Sequence, residues 1–235
     1  MSTTMTGVDQ ATQQRIADKA YALFVEQLTA AGYEVVDQAE LGRLAPEFTT
    51  WEALPNFSQG RFGASVAPTG QSVRFLQGDA AKRDTSGFMG QQMSAFRVLD
   101  KPQAFSRSPY IAHDGNIGVI AVTLVIDYGA YSSSGERRGM GKASASFEPG
   151  ATIAAGDAID HGSLIEYWGP HSGGFPAVAL LQLPVHSDRE LGVLQGEAHS
   201  GDYTLVADPA KFEAAADEVV GIAVPKLVGV MAAAK

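Results

Sequence analysis

The sequence contains no cysteine. That removes disulfides, thiolate catalysis and cysteine-ligated zinc or iron–sulfur clusters from consideration. It also lacks any apolar run of about 18 residues, so no transmembrane helix is expected. Basic residues are in the minority, 17 Lys and Arg against 26 Asp and Glu, for a formal net charge of -9. Binding to nucleic acid or to an anionic lipid surface without specificity needs excess Lys and Arg to displace counterions, so neither is expected. No block of like charge marks a tail. The opening MSTTMTGVDQ has no basic and then apolar segment, and is not read as a signal peptide. If the protein is exported, the signal is expected outside this chain.

What is present is a globular composition. The 235 residues are 45% hydrophobic and 18% charged. A chain of this length can bury roughly 70% of its unfolded surface without staples. The expectation is a single domain over 1–235, with 38–115 as an irregular insertion within it.

The clearest local pattern is DQATQQRIADKAYALFVEQLTAAGYEVV. Ile16, Ala20, Phe24 and Leu28 recur at four-residue spacing and define one apolar helix face. Asp9 or Thr12 can cap the start, Gly32 is placed to end it, and 33–36 (YEVV) reads as a strand. Within the insertion, QAELGRLAPEF predicts a short helix ending near Pro46. The aromatics Phe48, Trp51, Phe57 and Phe62 point to an ordered excursion with its own small core. A strand is expected over 71–78, a helix over 87–100, and a connecting segment over 101–116.

The second half is β-rich. NIGVIAVTLVIDYGAY reads as a central strand covered on both faces. GKASASFEPGATIAAG reads as the next strand, broken at Pro149–Gly150, and SLIEYWG, AVALLQLPV and YTLVAD as further strands. At the end, Asp208 and Pro209 open a helix with Phe212, Ala216, Val219 and Val220 on one face, and Pro225 is expected to kink or end it. Helix, strand, insert, run of strands and helix predict an α+β fold. Its sheet is mixed or largely antiparallel, packed against an N-terminal and a C-terminal helix.

SSSGERRGMGKASASF, over 132–147, has the look of a phosphate loop and fails its requirements. Gly141–Lys142 is followed by Ala143, and the stretch ASASF from that residue alternates like a strand, so neither the magnesium-binding hydroxyl nor a helix N-terminus is offered. A hairpin turn is the expectation there. The five histidines, His113, His161, His171, His186 and His199, show no metal-ligand spacing. There is no Gly-x-Ser-x-Gly elbow for a hydrolase. No catalytic residue, metal or cofactor is therefore assigned.

The most site-like stretch is SLIEYWGPHSGGF, where Glu166 stands beside Tyr167, Trp168 and His171. A carboxylate on an aromatic shelf suits a small ligand, a sugar or a peptide. The alternative is a strand whose aromatics cover the core.

The helix ending LTAAGYEVV, the strand IGVIAVTLVIDYG and the closing KFEAAADEVVGIAVPKLV together resemble, in arrangement, the periplasmic assembly domains of curli-secretion-type lipoproteins and uncharacterised bacterial envelope proteins of that build. The similarity spans the first 36 and last 120 residues or so. The chain departs from that family in having no lipid-anchor cysteine, no membrane-spanning hairpin and no evident first strand. The resemblance implies a periplasmic or envelope location and a non-enzymatic scaffold, with self-association or a protein partner. The competing expectation is a small-ligand or glycan-binding protein, or a hydrolase, centred on Glu166–His171.

Overall fold

The computed structural model describes residues 2–50, 56–60, 63–72, 103–134, 144–153, 163–171, 177–197 and 202–233. The fold is α+β, as expected. The helices are α1 (Gln10–Ala30), α2 (Gln38–Leu44), α3 (Gln103–Gly115) and α4 (Pro209–Ala233), with a 3-10 turn at Pro46–Thr50. The strands are β1 (Ser2–Thr6), β2 (Phe57–Gly60), β3 (Gly63–Val66), β4 (Val119–Thr123), β5 (Ile126–Ser134), β6 (Ser144–Ile153), β7 (Leu164–Trp168), β8 (Ala177–Leu180), β9 (Val185–His186), β10 (Gly192–Glu197) and β11 (Asp202–Ala207). They form three three-stranded sheets, ordered β1-β11-β10, β4-β7-β8 and β5-β6-β9, plus the β2-β3 hairpin. Among the described residues every ladder is antiparallel except the parallel pair β1–β11.

Both terminal helices form where their caps and apolar faces dictate. The Asp9 carboxylate accepts from the Thr12 amide at 2.8 Å and opens α1. Gly32, at φ +85°, closes it, with Gly32 N donating to Thr29 O and Tyr33 N to Leu28 O. This is the paired hydrogen-bond arrangement of a glycine-terminated helix. Asp208 accepts from the amides of Ala210 and Lys211 and opens α4. Ile16, Ala20, Phe24 and Leu28 are buried against α4. The buried set on α4 runs through Phe212, Ala216, Val219, Val220, Ala223, Val224, Leu227 and Met231, because α4 is sandwiched between α1 and strands β6, β7 and β8. Each such Leu or Val contributes about 1.5–3 kcal/mol through burial. Outside this core, Arg15 and Lys19 of α1 reach Glu213 and Asp217 of α4 at 2.6–2.8 Å, tying the two helices at their solvent edge.

Five expectations need correction. The segment 101–116 is not a connection: Gln103–Gly115 is helical despite Pro109. Ser108, Ile111 and Ala112 supply a buried face at helical spacing. Asn116, at φ 47°, terminates the helix, with Ile117 N on Ala112 O and Asn116 N on His113 O. YEVV alternates in burial, with Tyr33 and Val35 inward, but joins no ladder among the described residues. The long apolar run divides at Leu124–Val125 into β4 and β5, and each lies at the edge of its sheet. The buried Ser163 hydroxyl accepts from the Val125 amide at 2.8 Å at this division. Of the two outcomes expected at Pro225, ending is overturned: α4 continues through it to Ala233. The carbonyl that Pro225 leaves without a partner belongs to Gly221, which is exposed, so water can serve it. Finally, β1 is a first strand, paired residue for residue with β11.

The break at Pro149–Gly150 is a bulge inside a continuous β6: Asp127 faces Thr152 and Gly129 faces Pro149, so β6 carries the extra residue. The hairpin expected around the glycine-rich loop is present, with Ser134 opposite Ser144. The loop itself, 135–143, lies outside the described residues, as do the helix expected over 87–100 and most of the strand expected over 71–78.

Candidate functional site

In the β4-β7-β8 sheet, β7 is the middle strand and is buried along both faces. Successive side chains alternate across a strand. Ile165 and Tyr167 face the main core beneath α4, and Tyr167 packs against it. Leu164, Glu166 and Trp168 face the other way. Opposite Trp168 stands Val119, which joins a second, smaller core with Ala45, Phe48 and Ile111. Helix α3 lies over β4 and β7 on this side. Among the described residues the sheet thus separates a large cluster from a smaller one, and Glu166 faces the side of the smaller one.

Glu166 is 4% exposed and Trp168 is 1% exposed. The Glu166 Oε2 atom is buried with no hydrogen-bond partner among the described residues. Its cross-strand neighbours are Ala121 on β4 and Val178 on β8, neither of which can donate a side-chain hydrogen bond. Burial without a compensating donor penalises the charged form, and it pushes the Glu166 carboxyl up to about 7. Near neutral pH this group holds a proton for much of the time. It can then act as a hydrogen-bond donor or weak acid, the state burial commonly imposes on carboxyl groups in binding and active sites. The β8 side is the open side: Val178, directly across from Glu166, is 49% exposed.

The four residues singled out in the sequence are therefore not one shelf. Glu166 and Trp168 share a face. Tyr167 points to the opposite side, and its ring lies close enough to Gly118 that a Cβ there would approach within 2.6 Å. His171 is exposed in the turn after β7. The period-two geometry of a strand is the cause, since adjacent residues cannot present side chains to one face.

Of the other histidines, His113 is exposed at the end of α3 beside Asp114, and His161 and His199 lie outside the described residues. His186 is held in place. Its Nδ1 lies 2.7 Å from the Thr152 hydroxyl, directly across the β6–β9 pair. Gly150 lies against the ring, where a Cβ would sit 2.4 Å from Cε1. Next to it, the buried Ser187 hydroxyl donates to Glu218 Oε2 at 3.1 Å, and Arg189 pairs with the same carboxylate. This group fastens β9 to α4. No cluster of three or more His, Asp or Glu able to hold a metal ion occurs among the described residues.

One feature escapes the sequence pattern. Strand β10 is an edge strand, with Val193 60% and Leu194 39% exposed, and Val206 across from Val193 is 38% exposed. Glycines at 192 and 196 interrupt the alternation by which a strand is recognised there.

No family model matches this chain, and neither a curated protein nor a solved structure matches it.

Proposed function

We propose that this protein is a non-enzymatic interaction scaffold of the bacterial cell envelope that associates with further copies of itself. The observation that carries the reading is the β10 edge. One side of β10 is paired to β11, and the other has no ladder partner among the described residues. Natural edge strands are ordinarily protected by Lys, Pro or inward charge. GVLQGE has none of these, and its one charge, Glu197, stands at its end. Backbone donors and acceptors at such an edge are completed when another strand adds to it, the mode known as β-augmentation. The envelope part of the reading rests on the resemblance in arrangement stated from the sequence, with which the absence of cysteine is compatible. Val193→Lys tests the edge. It leaves the inner face of the sheet intact, and it should lower the self-association measured by sedimentation at the concentration where the parent chain associates. An unchanged distribution would remove β10 from the interface.

A second reading has its own observation, the buried Glu166 oxygen that has no hydrogen-bond partner among the described residues. In this reading a small ligand with a hydrogen-bonding group enters from the β8 side and is held by Glu166 and Trp168. A ligand at about 100 times its dissociation constant would stabilise the fold by about 2.7 kcal/mol. A thermal-shift screen of soluble sugars and short peptides, repeated on Glu166→Gln, tests it. A stabilising compound whose effect vanishes in the variant supports the site, and a screen with no stabilisation counts against it.

A further inference from the structure

The register of β10 fixes where its backbone groups point. The Asp208 amide donates to the Leu191 carbonyl at 2.8 Å, and from there β10 runs antiparallel to β11, with Val193 opposite Val206 and Gln195 opposite Thr204. Backbone bonding alternates along an antiparallel strand, so Val193 and Gln195 turn their N–H and C=O groups to β11, as Leu191 does. Gly192, Leu194 and Gly196 turn theirs to the open edge. No side chain shields that edge at 192 or 196. A Cβ at Gly192 would collide with the Val206 carbonyl, and one at Gly196, where φ is +154°, with the Asp202 carbonyl, so both places need glycine. Leu194 shares a face with Leu205, which is 1% exposed in the main core, yet Leu194 itself is 39% exposed. It is a core-facing leucine with no strand beyond it among the described residues.

We propose that a second copy of this chain supplies the missing strand: β10 of one copy pairs antiparallel with β10 of another across a two-fold axis at Leu194, with Leu194 opposite Leu194 and Gly192 opposite Gly196 of the other copy. This rests on the self-association proposed above and adds its register and symmetry.

Three features favour a copy of the same strand over another occupant. The outward residues are spaced evenly about Leu194, so in this register every outward N–H of one copy meets an outward C=O of the other. Residues 192–196 hold no ionisable group, so two copies of a chain with net charge -9 meet there without like charges opposed. The two Leu194 side chains come together on the core side of the joined sheet, each beside Leu205 of its own chain, while Val193 stands across from Gln195 of the other copy on the outer side. Head-to-tail addition of β10 to β1 of another copy is the less fitting arrangement, since the Thr3 carbonyl of β1 already accepts from the Tyr128 hydroxyl of β5 at 2.9 Å.

Amide exchange followed by NMR tests the register. It compares a dilute sample, monomeric by sedimentation, with one in which about nine-tenths of the chain is associated. The amides of Gly192, Leu194 and Gly196 should slow about tenfold between the two, because exchange is then left to the remaining monomer. Those of Val193 and Gln195, already bonded to β11, should change less than about twofold. Since the chain has no cysteine, Leu194→Cys introduces a single thiol. Opposed Cα atoms in such a pair lie about 5.5 Å apart, within disulfide reach, so mild oxidation should yield a covalent dimer, which Thr4→Cys on β1 should not. A chain that stays monomeric at every concentration overturns both this pairing and the self-association reading. Association in which the three outward amides stay fast leaves self-association standing and overturns the pairing through β10. Protection of those amides already complete in the dilute sample overturns it too, since the chain itself would then cover the edge. Alternating protection without a Leu194→Cys dimer overturns the two-fold register.

Discussion

Glu166→Gln keeps the size of the side chain and removes its charge, so it isolates what ionisation costs the fold. The folded carboxyl titrates near 7, against an ordinary value of 4.5, because it is desolvated. Between those values the folded chain binds more protons than the unfolded one, so stability falls as pH rises. The contribution of the protonated group is complete below 4.5 and is lost as pH rises through about 7. At about 1.36 kcal/mol per unit, the loss is at most about 3 kcal/mol between pH 4 and 8.5. For a chain of this size that corresponds to roughly 6–12 °C in Tm. Urea denaturation of both proteins at pH 5 and pH 8.5 measures it. The parent chain should lose stability relative to Glu166→Gln on going to pH 8.5, by up to that amount. Near pH 5 the two should be similar, because the neutral acid and the amide are both uncharged. Parallel pH profiles, or a parent chain that gains on the variant at high pH, would refute the argument that Glu166 is an unpaired buried acid.

Further expectations concern the frame that holds the site. Leu227→Ala, at a fully buried position between α1 and the sheets, should cost about 2–5 kcal/mol in denaturant unfolding. Gly150→Ala would drive a methyl into the His186 ring and the Ser187 carbonyl, at 2.4 and 2.5 Å, and should cost about 1–3 kcal/mol by the same assay. It should also shift the His186 imidazole resonances, since the Thr152 contact would have to move. Asp208→Ala removes the acceptor that opens α4 and should cost about 0.5–2 kcal/mol. Asn116→Gly should be neutral or mildly stabilising, because φ is positive there, while Asn116→Val should destabilise α3 by at least about 1 kcal/mol, read from α3 amide exchange.

The two terminal helices were legible because periodicity and caps agree in each. The four-residue spacing of Ile16 through Leu28, the glycine at 32 and the Asp208–Pro209 start all point the same way. Helix α3 was hidden because Pro109 and its Ser- and Arg-containing flanks carry turn chemistry, and its apolar face is completed only by the small core it covers. β-structure was less legible still. Whether YEVV or 117–131 pairs, splits or lies at an edge depends on partners far away in sequence, which no local pattern contains. β1, rich in threonine, forms because β11 offers it a parallel ladder. At the site, the residue types of SLIEYWG set a carboxyl beside aromatics, and the strand buries Glu166 and Trp168. Strand alternation then divided them, leaving Glu166 with Trp168 and sending Tyr167 to the other core. That Glu166 Oε2 has no hydrogen-bond partner among the described residues goes with Ala121 and Val178 across from it, which only the register supplies.

The measurement that bears most directly on the scaffold reading is the solution mass by light scattering on a sizing column, across a concentration series. The account predicts masses above that of the 24.7 kDa chain, tending with concentration to a discrete multiple of it. A strict monomer at every concentration up to the highest attainable would contradict self-association as the activity.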